Sequence, residues 1–359
     1  MRPRLALLVV PLLLVSLLPA AAAAAPPSGP PSLPDAAVQH RAAVLAYWTP
    51  ARMAAAIPRD VVLTGVGVQP VGKPAVKPTR PPKPTPTPTP NPTPTPTPSD
   101  GTTIGSSWTG GGIMLTATGK VYFSMGGSNW ICSGSVITDN KTGRSIVLTA
   151  GHCVVDNDGT FASDWMFIPA FDLHPTYDCE STEYGCWVAD ALYADEEFAS
   201  AGSFNDTAVR HDWGFAVVGG GGWTETDTFE LDATAGSLGI TYPQYFGQTV
   251  SAFGYPAALK YKGNDLVYCR GVVGTDPNTD NTTWSLPCNM TGGSSGGPWV
   301  RAGDTTSYAD AEVGSLNSYG YSTVKNVMFG PKFNSDTKNV FDAANNGTLS
   351  SGVARQLLP

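Results

Sequence analysis

The chain has 359 residues and a net charge of −8, with 14% charged residues against 42% hydrophobic ones. Beyond Ser99 it carries 12 Lys+Arg against 27 Asp+Glu, a net charge of −15, which argues against a nucleic-acid partner held by phosphate neutralisation. No segment after the N-terminal leader approaches the roughly 20 apolar residues of a spanning helix, so no membrane partner is expected for the mature chain.

The leader comes first. Arg2 and Arg4 precede an almost wholly apolar run over 5–18 and an alanine-rich stretch over 19–25, the three parts of a secretory signal peptide. Residues 1–25 are therefore expected to be removed on export, leaving a secreted, extracellular protein. Residues 26–72 read as a prosegment too small for a core of its own. It has helical patterns over 37–48 and 51–57, with Thr49 as N-cap, Pro50 at the first helical position and Pro58 as the stop. Residues 73–100 are rich in Pro and Thr and alternate Pro-Thr from Pro84, which predicts a stiff polyproline-like spacer.

After Asp100 the pattern changes to short β-branched and aromatic runs between Gly, Asn and Asp turns, over 113–118, 120–125, 131–138, 144–149, 213–218, 249–253 and 266–273. There is no βαβ alternation. The fold class expected is all-β, and about 260 residues suit two packed antiparallel barrels, divided here as 101–225 and 226–359. Six cysteines lie between Cys132 and Cys288. In an exported chain without Cys-x-x-Cys or His-x-x-x-His spacing they predict disulfides, with no metal and no cofactor. Asp156-Asn157-Asp158-Gly159 has too few ligands for a calcium loop and reads as a solvated turn. Asp195-Glu196-Glu197 reads as a wet acidic face.

Three stretches carry chemistry. Leu148-Thr149-Ala150-Gly151-His152-Cys153 ends an apolar strand on an imidazole beside a cysteine, and Cys132 is the natural partner to clamp Cys153. Of the four histidines, His40 lies in the prosegment, leaving His152, His174 and His211 as candidate bases. His211-Asp212-Trp213-Gly214-Phe215-Ala216 sets an aspartate at the head of an apolar strand, where a buried carboxylate needs a donor such as an imidazole N–H. His211 beside it points to the opposite side of the strand and is not assigned catalysis. Thr291-Gly292-Gly293-Ser294-Ser295-Gly296-Gly297-Pro298 places a hydroxyl among glycines, whose backbones allow tight turns and close approach.

In the order His152, Asp212, Ser295 these motifs resemble the chymotrypsin-like serine peptidases, and within them the secreted bacterial trypsin-like group related to glutamyl endopeptidases. The resemblance covers roughly residues 105–345. It implies two six-stranded barrels with the active site between them, and a polypeptide substrate. Ser295 would be the nucleophile, His152 the general base, Asp212 its orienting carboxylate, and the N–H groups of Gly293 and Ser295 the oxyanion hole. Counting back from Ser295, Asn289 and Met290 would line the specificity pocket. Matching Val313-Gly314-Ser315-Leu316-Asn317-Ser318 to the substrate-pairing strand puts Leu316 where glutamyl endopeptidases resemble one another in a histidine. The pocket expected is apolar, selecting uncharged side chains. Proximity pairs Cys179 with Cys186 and Cys269 with Cys288. Ser294 stands where trypsins carry the aspartate that pairs with a new N-terminus, so activation through such an ion pair is not expected. A working monomer is expected. The other readings of the motifs are a catalytically silent protease-like binding module and an esterase using the same triad.

Overall fold

Residues 35–63, 102–301, 308 and 310–358 are described by the computed structural model. The predicted signal peptide and Pro/Thr-rich spacer lie outside these residues. All described residues belong to one compact unit, Ser32–Pro359.

The described part of the segment expected to be a prosegment, residues 35–63, forms helix α1 (Asp35–Tyr47) and helix α2 (Pro50–Ala55), then strands β1 (Ile57–Pro58) and β2 (Val62–Leu63). Thr49 caps α2 by accepting the Arg52 N–H at 3.3 Å, with Pro50 in the first turn, where its missing N–H costs nothing. The chain leaves α2 at Ala55, and Ile57–Pro58 is extended rather than helical, as expected of a residue that precedes proline. Val44, Trp48, Met53, Val61 and Leu63 are all buried against the body of the protein. At roughly 2 kcal/mol for each large apolar side chain removed from water, this packing supplies the core the segment cannot build alone. Arg41, 3% exposed, donates to the carbonyl oxygens of Gly220 (2.7 Å), Asp227 (2.9 Å) and Gly222 (3.1 Å).

Strand β3 (Thr103–Ser107) resumes the description, followed by β4 (Thr118–Met125), β5 (Ser128–Ile137), β6 (Ser145–Thr149), β7 (Ser163–Pro169), β8 (Trp187–Asp195) and β9 (Gly214–Val218). Strands β4 to β9 pair in the order β5-β4-β7-β8-β9-β6, and β6 pairs back to β5, closing a six-stranded antiparallel barrel. Closure leaves no open edge among these strands. Trp165, Trp187 and Trp213 are fully buried in this half.

The second half contains β10 (Gly239–Ile240), β11 (Thr249–Gly254), β12 (Val267–Val272), β13 (Gly274–Thr275), β14 (Thr283–Pro287), β15 (Pro298–Arg301), β16 (Glu312–Leu316), β17 (Gly320–Tyr321) and β18 (Val327–Pro331), with β19 (Val353–Leu357) returning to pair with β8. Here the strands divide between a six-stranded sheet, β10-β16-β15-β11-β12-β3, and a three-stranded sheet, β13-β14-β18. The Cys269–Cys288 disulfide and a bond from Ser315 Oγ to the Pro331 oxygen (2.7 Å) tie the two together where a ladder does not. The other disulfides join Cys132 to Cys153 and Cys179 to Cys186.

One expected strand is absent. Residues 113–118 fold instead as a short helix, Gly112–Thr116, with β4 beginning at Thr118. Gly111 and Gly112 both hold positive φ (59° and 65°), turning the chain so that Met114 and Leu115 enter the core together.

Candidate active site

The loop around Ser295 is pinned from the first barrel. Ser133, on β5, donates from its N–H to the Ser295 oxygen (2.8 Å) and from its Oγ to the Gly293 oxygen (2.8 Å). A side chain at Gly296 would meet Thr149 Oγ1 at 2.2 Å and the Ser133 oxygen at 2.4 Å, so only glycine lets the loop settle onto the end of β6. The Gly292 oxygen accepts from Ala257 N–H at 2.8 Å, and the Ser294 oxygen from Gly297 N–H (2.9 Å) and Asn317 Nδ2 (3.1 Å). A trans peptide carries its N–H on the edge opposite its oxygen. The N–H groups of Gly293 and Ser295 are therefore turned away from those partners. Ser294, 1% exposed, donates its hydroxyl to the Thr291 oxygen (2.8 Å) and fixes the turn before Ser295.

His152 sits in a single 3₁₀ turn, Gly151–Cys153, at the end of β6, held by the Cys132–Cys153 disulfide. Its Nδ1 lies 2.8 Å from Asp212 Oδ2, and its backbone N–H donates to Asp212 Oδ1 at 2.8 Å. Asp212 is fully buried at the head of β9, and Ser318 Oγ donates to its Oδ2 at 2.5 Å. Three donors thus satisfy a buried carboxylate that would otherwise be costly. Phe204 stands edge-on to the imidazole at 5.9 Å between centroids. His152 Nε2, also buried, has no hydrogen-bond partner among the described residues.

Ser295 Oγ donates instead to the backbone oxygen of Arg59, at 3.1 Å. Here residues 57–63 cross the site as an added strand. β1 pairs in parallel with β5 at Trp130 and Ile131, and β2 pairs in parallel with β17. Arg59 N–H donates to the Ile131 oxygen, and the Gly320 and Ser322 N–H groups donate to the Val61 and Leu63 oxygens, each at 3.0 Å. The Arg59 guanidinium lies 5.0 Å above the Trp130 ring and 3.4 Å from Asp156.

Beside Ser295 opens a cavity of about 650 Å³ lined by Asn289, Met290, Tyr319, Tyr321, Val324 and Met328. Its charged groups are Lys260, Lys325 and Asp60, the last from the segment between β1 and β2. Asn289 accepts from the Tyr261 hydroxyl at 2.5 Å. Leu316 is elsewhere. It pairs with Pro298 at the end of β16 and is fully buried, and the wall of the cavity is built from Ser318 to Ser322 instead. The register slips because β16 stops at Leu316, and the Asn317 side chain turns inward to Trp299 Nε1 (2.8 Å) and the Phe253 oxygen (2.8 Å).

The remaining candidates lie apart. His211 faces Asp195 at 3.3 Å and packs on Trp213, while His174 is an exposed partner of Glu183 at 3.0 Å. Asp195 is 3% exposed and caps the helix Glu196–Ala199 through the Glu197 N–H, so only Glu196 and Glu197 form the expected wet face. Asp156 and Asp158 accept the N–H groups of Asn157 and Thr160 in a hydrogen-bonded turn. Sequence reading missed Ser318 and Arg59, whose partners are 106 and 236 residues away.

Two solved structures resemble the chain beyond its fold. The protease Anisep from Arthrobacter nicotinovorans is 33% identical, with a TM-score of 0.56, over 68% of this chain and 100% of that one. The thermostable serine protease AL20 from an extremophilic microorganism is 35% identical, with a TM-score of 0.54, over 66% of this chain and 99% of that one. No protein-family model matches the sequence, and neither does any curated protein.

Proposed function

The chain belongs to the chymotrypsin-like serine proteases, and on that premise we propose that His152, Asp212 and Ser295 are its catalytic triad, in a secreted monomeric endopeptidase made as a zymogen. The observation that carries this reading is the buried His152–Asp212 pair at 2.8 Å, reinforced by Ser318, beside a loop that turns Ser295 toward the cleft. Ser295 Oγ attacks the carbonyl carbon of a polypeptide substrate while its proton passes to His152 Nε2. Asp212 keeps Nδ1 protonated and stabilises the cation formed. The N–H groups of Gly293 and Ser295 receive the oxyanion, each contributing on the order of 3 kcal/mol. His152 then protonates the leaving amine, and water, deprotonated by the same imidazole, releases the acyl group.

Residues 1–25 act as the signal peptide, 26–72 as the prosegment and 73–100 as its tether. Support for an inhibitory prosegment comes from the contact of Ser295 Oγ with the Arg59 oxygen. Hydrolysis needs the carbonyl carbon at Oγ and the oxygen directed to the N–H groups, whereas the prosegment offers the oxygen to Oγ. In the cavity, Met290, Val324, Val327 and Met328 favour an uncharged apolar side chain before the scissile bond, and Lys260 and Lys325 disfavour a basic one.

A serine-directed fluorophosphonate tests the assignment. It labels the prosegment-free protein, and Ser295→Ala abolishes both label and peptidase activity. Label that persists in the variant would show that another residue is the nucleophile.

A further inference from the structure

We propose that Asp276 is a positioning residue for extended substrates, holding the strand β17 through the hydroxyls of Tyr319 and Tyr321. This inference rests on the peptidase reading of the same cleft. Asp276 is fully buried in the turn between β13 and β14, and its two carboxylate oxygens have separate partners. Oδ1 accepts from Asn278 N–H (2.9 Å) and Asn278 Nδ2 (3.0 Å), which closes the turn locally. Oδ2 accepts from Tyr319 (2.8 Å) and Tyr321 (2.7 Å), 43 and 45 residues away.

The local turn needs only the first oxygen. The second grips the residues on either side of the one whose N–H faces the cleft. Gly320, between the two tyrosines, donates to the Val61 oxygen, and Ser322 donates to the Leu63 oxygen. These are main-chain contacts of the kind that give sheet-edge recognition its affinity. The only ladder of β17 among the described residues is with β2; main-chain bonds between Tyr319 and Phe329 (2.9 and 3.2 Å) hold its first end, and the hydroxyl grip of Asp276 extends that hold past Gly320 to Tyr321 when residues 57–63 leave. Both tyrosines line the cavity beside Ser295, and the Tyr319 ring continues through Phe204 (6.3 Å) to His152 (5.9 Å). Burial, together with the facing carboxylate, holds both phenols above their ordinary pKa, so they remain donors to Asp276 through neutral and alkaline pH. Thr283 Oγ1, 2.7 Å from the Tyr319 oxygen, completes that hydroxyl by donating to it.

The test is Asp276→Asn, which keeps the shape but leaves one oxygen to serve two sets of donors. Two esters with the same leaving group are compared, one carrying a single acylated residue and the other a tetrapeptide ending in it. Rates are normalised to sites counted by fluorophosphonate titration. The ratio of kcat/KM, tetrapeptide over single residue, is expected to fall roughly tenfold, through KM, as the hydrogen-bonded carboxylate loses its grip. A ratio unchanged from the parent, or a fall carried by kcat alike for both esters, overturns the proposal. Tyr321→Phe removes one hydroxyl and keeps the ring, so it carries the same test if Asp276→Asn does not fold, and its ratio should fall in the same direction. Failure of both proteins to take the titrant, parent included, would instead count against the peptidase reading.

Discussion

Ser295 Oγ donates a hydrogen bond to the backbone oxygen of Arg59, 3.1 Å away, across 236 residues of sequence. Residues 57–63, in the proposed prosegment, thereby fill the cleft with polypeptide main chain, the chemistry of a protease substrate, in an orientation that does not present a carbonyl carbon to the proposed nucleophile. Its hold combines strand pairing at both ends with the Arg59 side chain on Trp130 and Asp156.

Arg59→Ala is expected to weaken that hold. Asp156 is about half exposed, so the ion pair itself contributes little, and most of the loss comes from the guanidinium stacked on Trp130. A peptide spanning residues 35–63 should inhibit the prosegment-free enzyme, and the substituted peptide should have an inhibition constant raised by about fivefold. Equal inhibition by the two peptides would remove Arg59 from the interface.

Gly293→Ala should lower folding stability as well as turnover. Gly293 holds φ at 94°, and a Cβ there would sit 2.9 Å from the Tyr255 oxygen and 3.1 Å from Ala257. Reading the sequence for the oxyanion N–H alone leads one to expect lost turnover with little loss of folding. The positive φ and the crowding revise that to a destabilisation of about 2 kcal/mol, seen as a melting midpoint lowered by several degrees. An unchanged midpoint would restore the simpler expectation.

What the sequence made legible follows from locality. The proposed triad residues His152, Asp212 and Ser295 each stand in a short local pattern: a strand end, a strand start and a glycine-flanked hydroxyl. Strands β7 and β8 leave no such pattern because they are buried on nearly every side chain, so neither shows the alternation that marks a half-exposed strand. The run 113–118 is ambiguous because a short stretch with four apolar residues out of six fits a buried helix as well as a strand, and two positive-φ glycines decide it. Counting along a strand places Leu316 in the cavity. The count fails because a strand end and the inward turn of Asn317 hand the wall to Tyr319 and Tyr321. Ser318, Arg59 and Asp276 act through partners far along the chain, and no local pattern encodes them.

Ser318→Ala removes the 2.5 Å hydrogen bond to Asp212 Oδ2 and leaves a fully buried carboxylate with one donor fewer. The imidazole's orientation then depends on two contacts with His152 in place of a three-point anchor. The expected outcome is a kcat lowered roughly tenfold with KM little changed, while Ser295 still takes a fluorophosphonate slowly. A full loss of labelling would mean that Ser318 holds the fold rather than the base.

Lys120 offers a test of stability against pH. The residue is 3% exposed, its ammonium lies 4.2 Å from the Phe171 ring centroid, 5.1 Å from Tyr122 and 6.0 Å from Tyr177, and no carboxylate pairs with it among the described residues. Burial lowers its pKa to about 7 from 10.5. Since the folded pKa lies below the unfolded one, the unfolded chain binds more protons between the two values, and stability rises with pH across that window. Below pH 7 the lysine is charged in both states and imposes its full cost, partly offset by the surrounding ring faces. Lys120→Met, in a Ser295→Ala background that prevents self-cleavage, should therefore stabilise the protein by about 2 kcal/mol at pH 6, with the gain shrinking as pH rises toward 10. Denaturant titrations of both proteins across that range measure it. A gain that stayed constant with pH would show that packing, and not the buried charge, sets the difference.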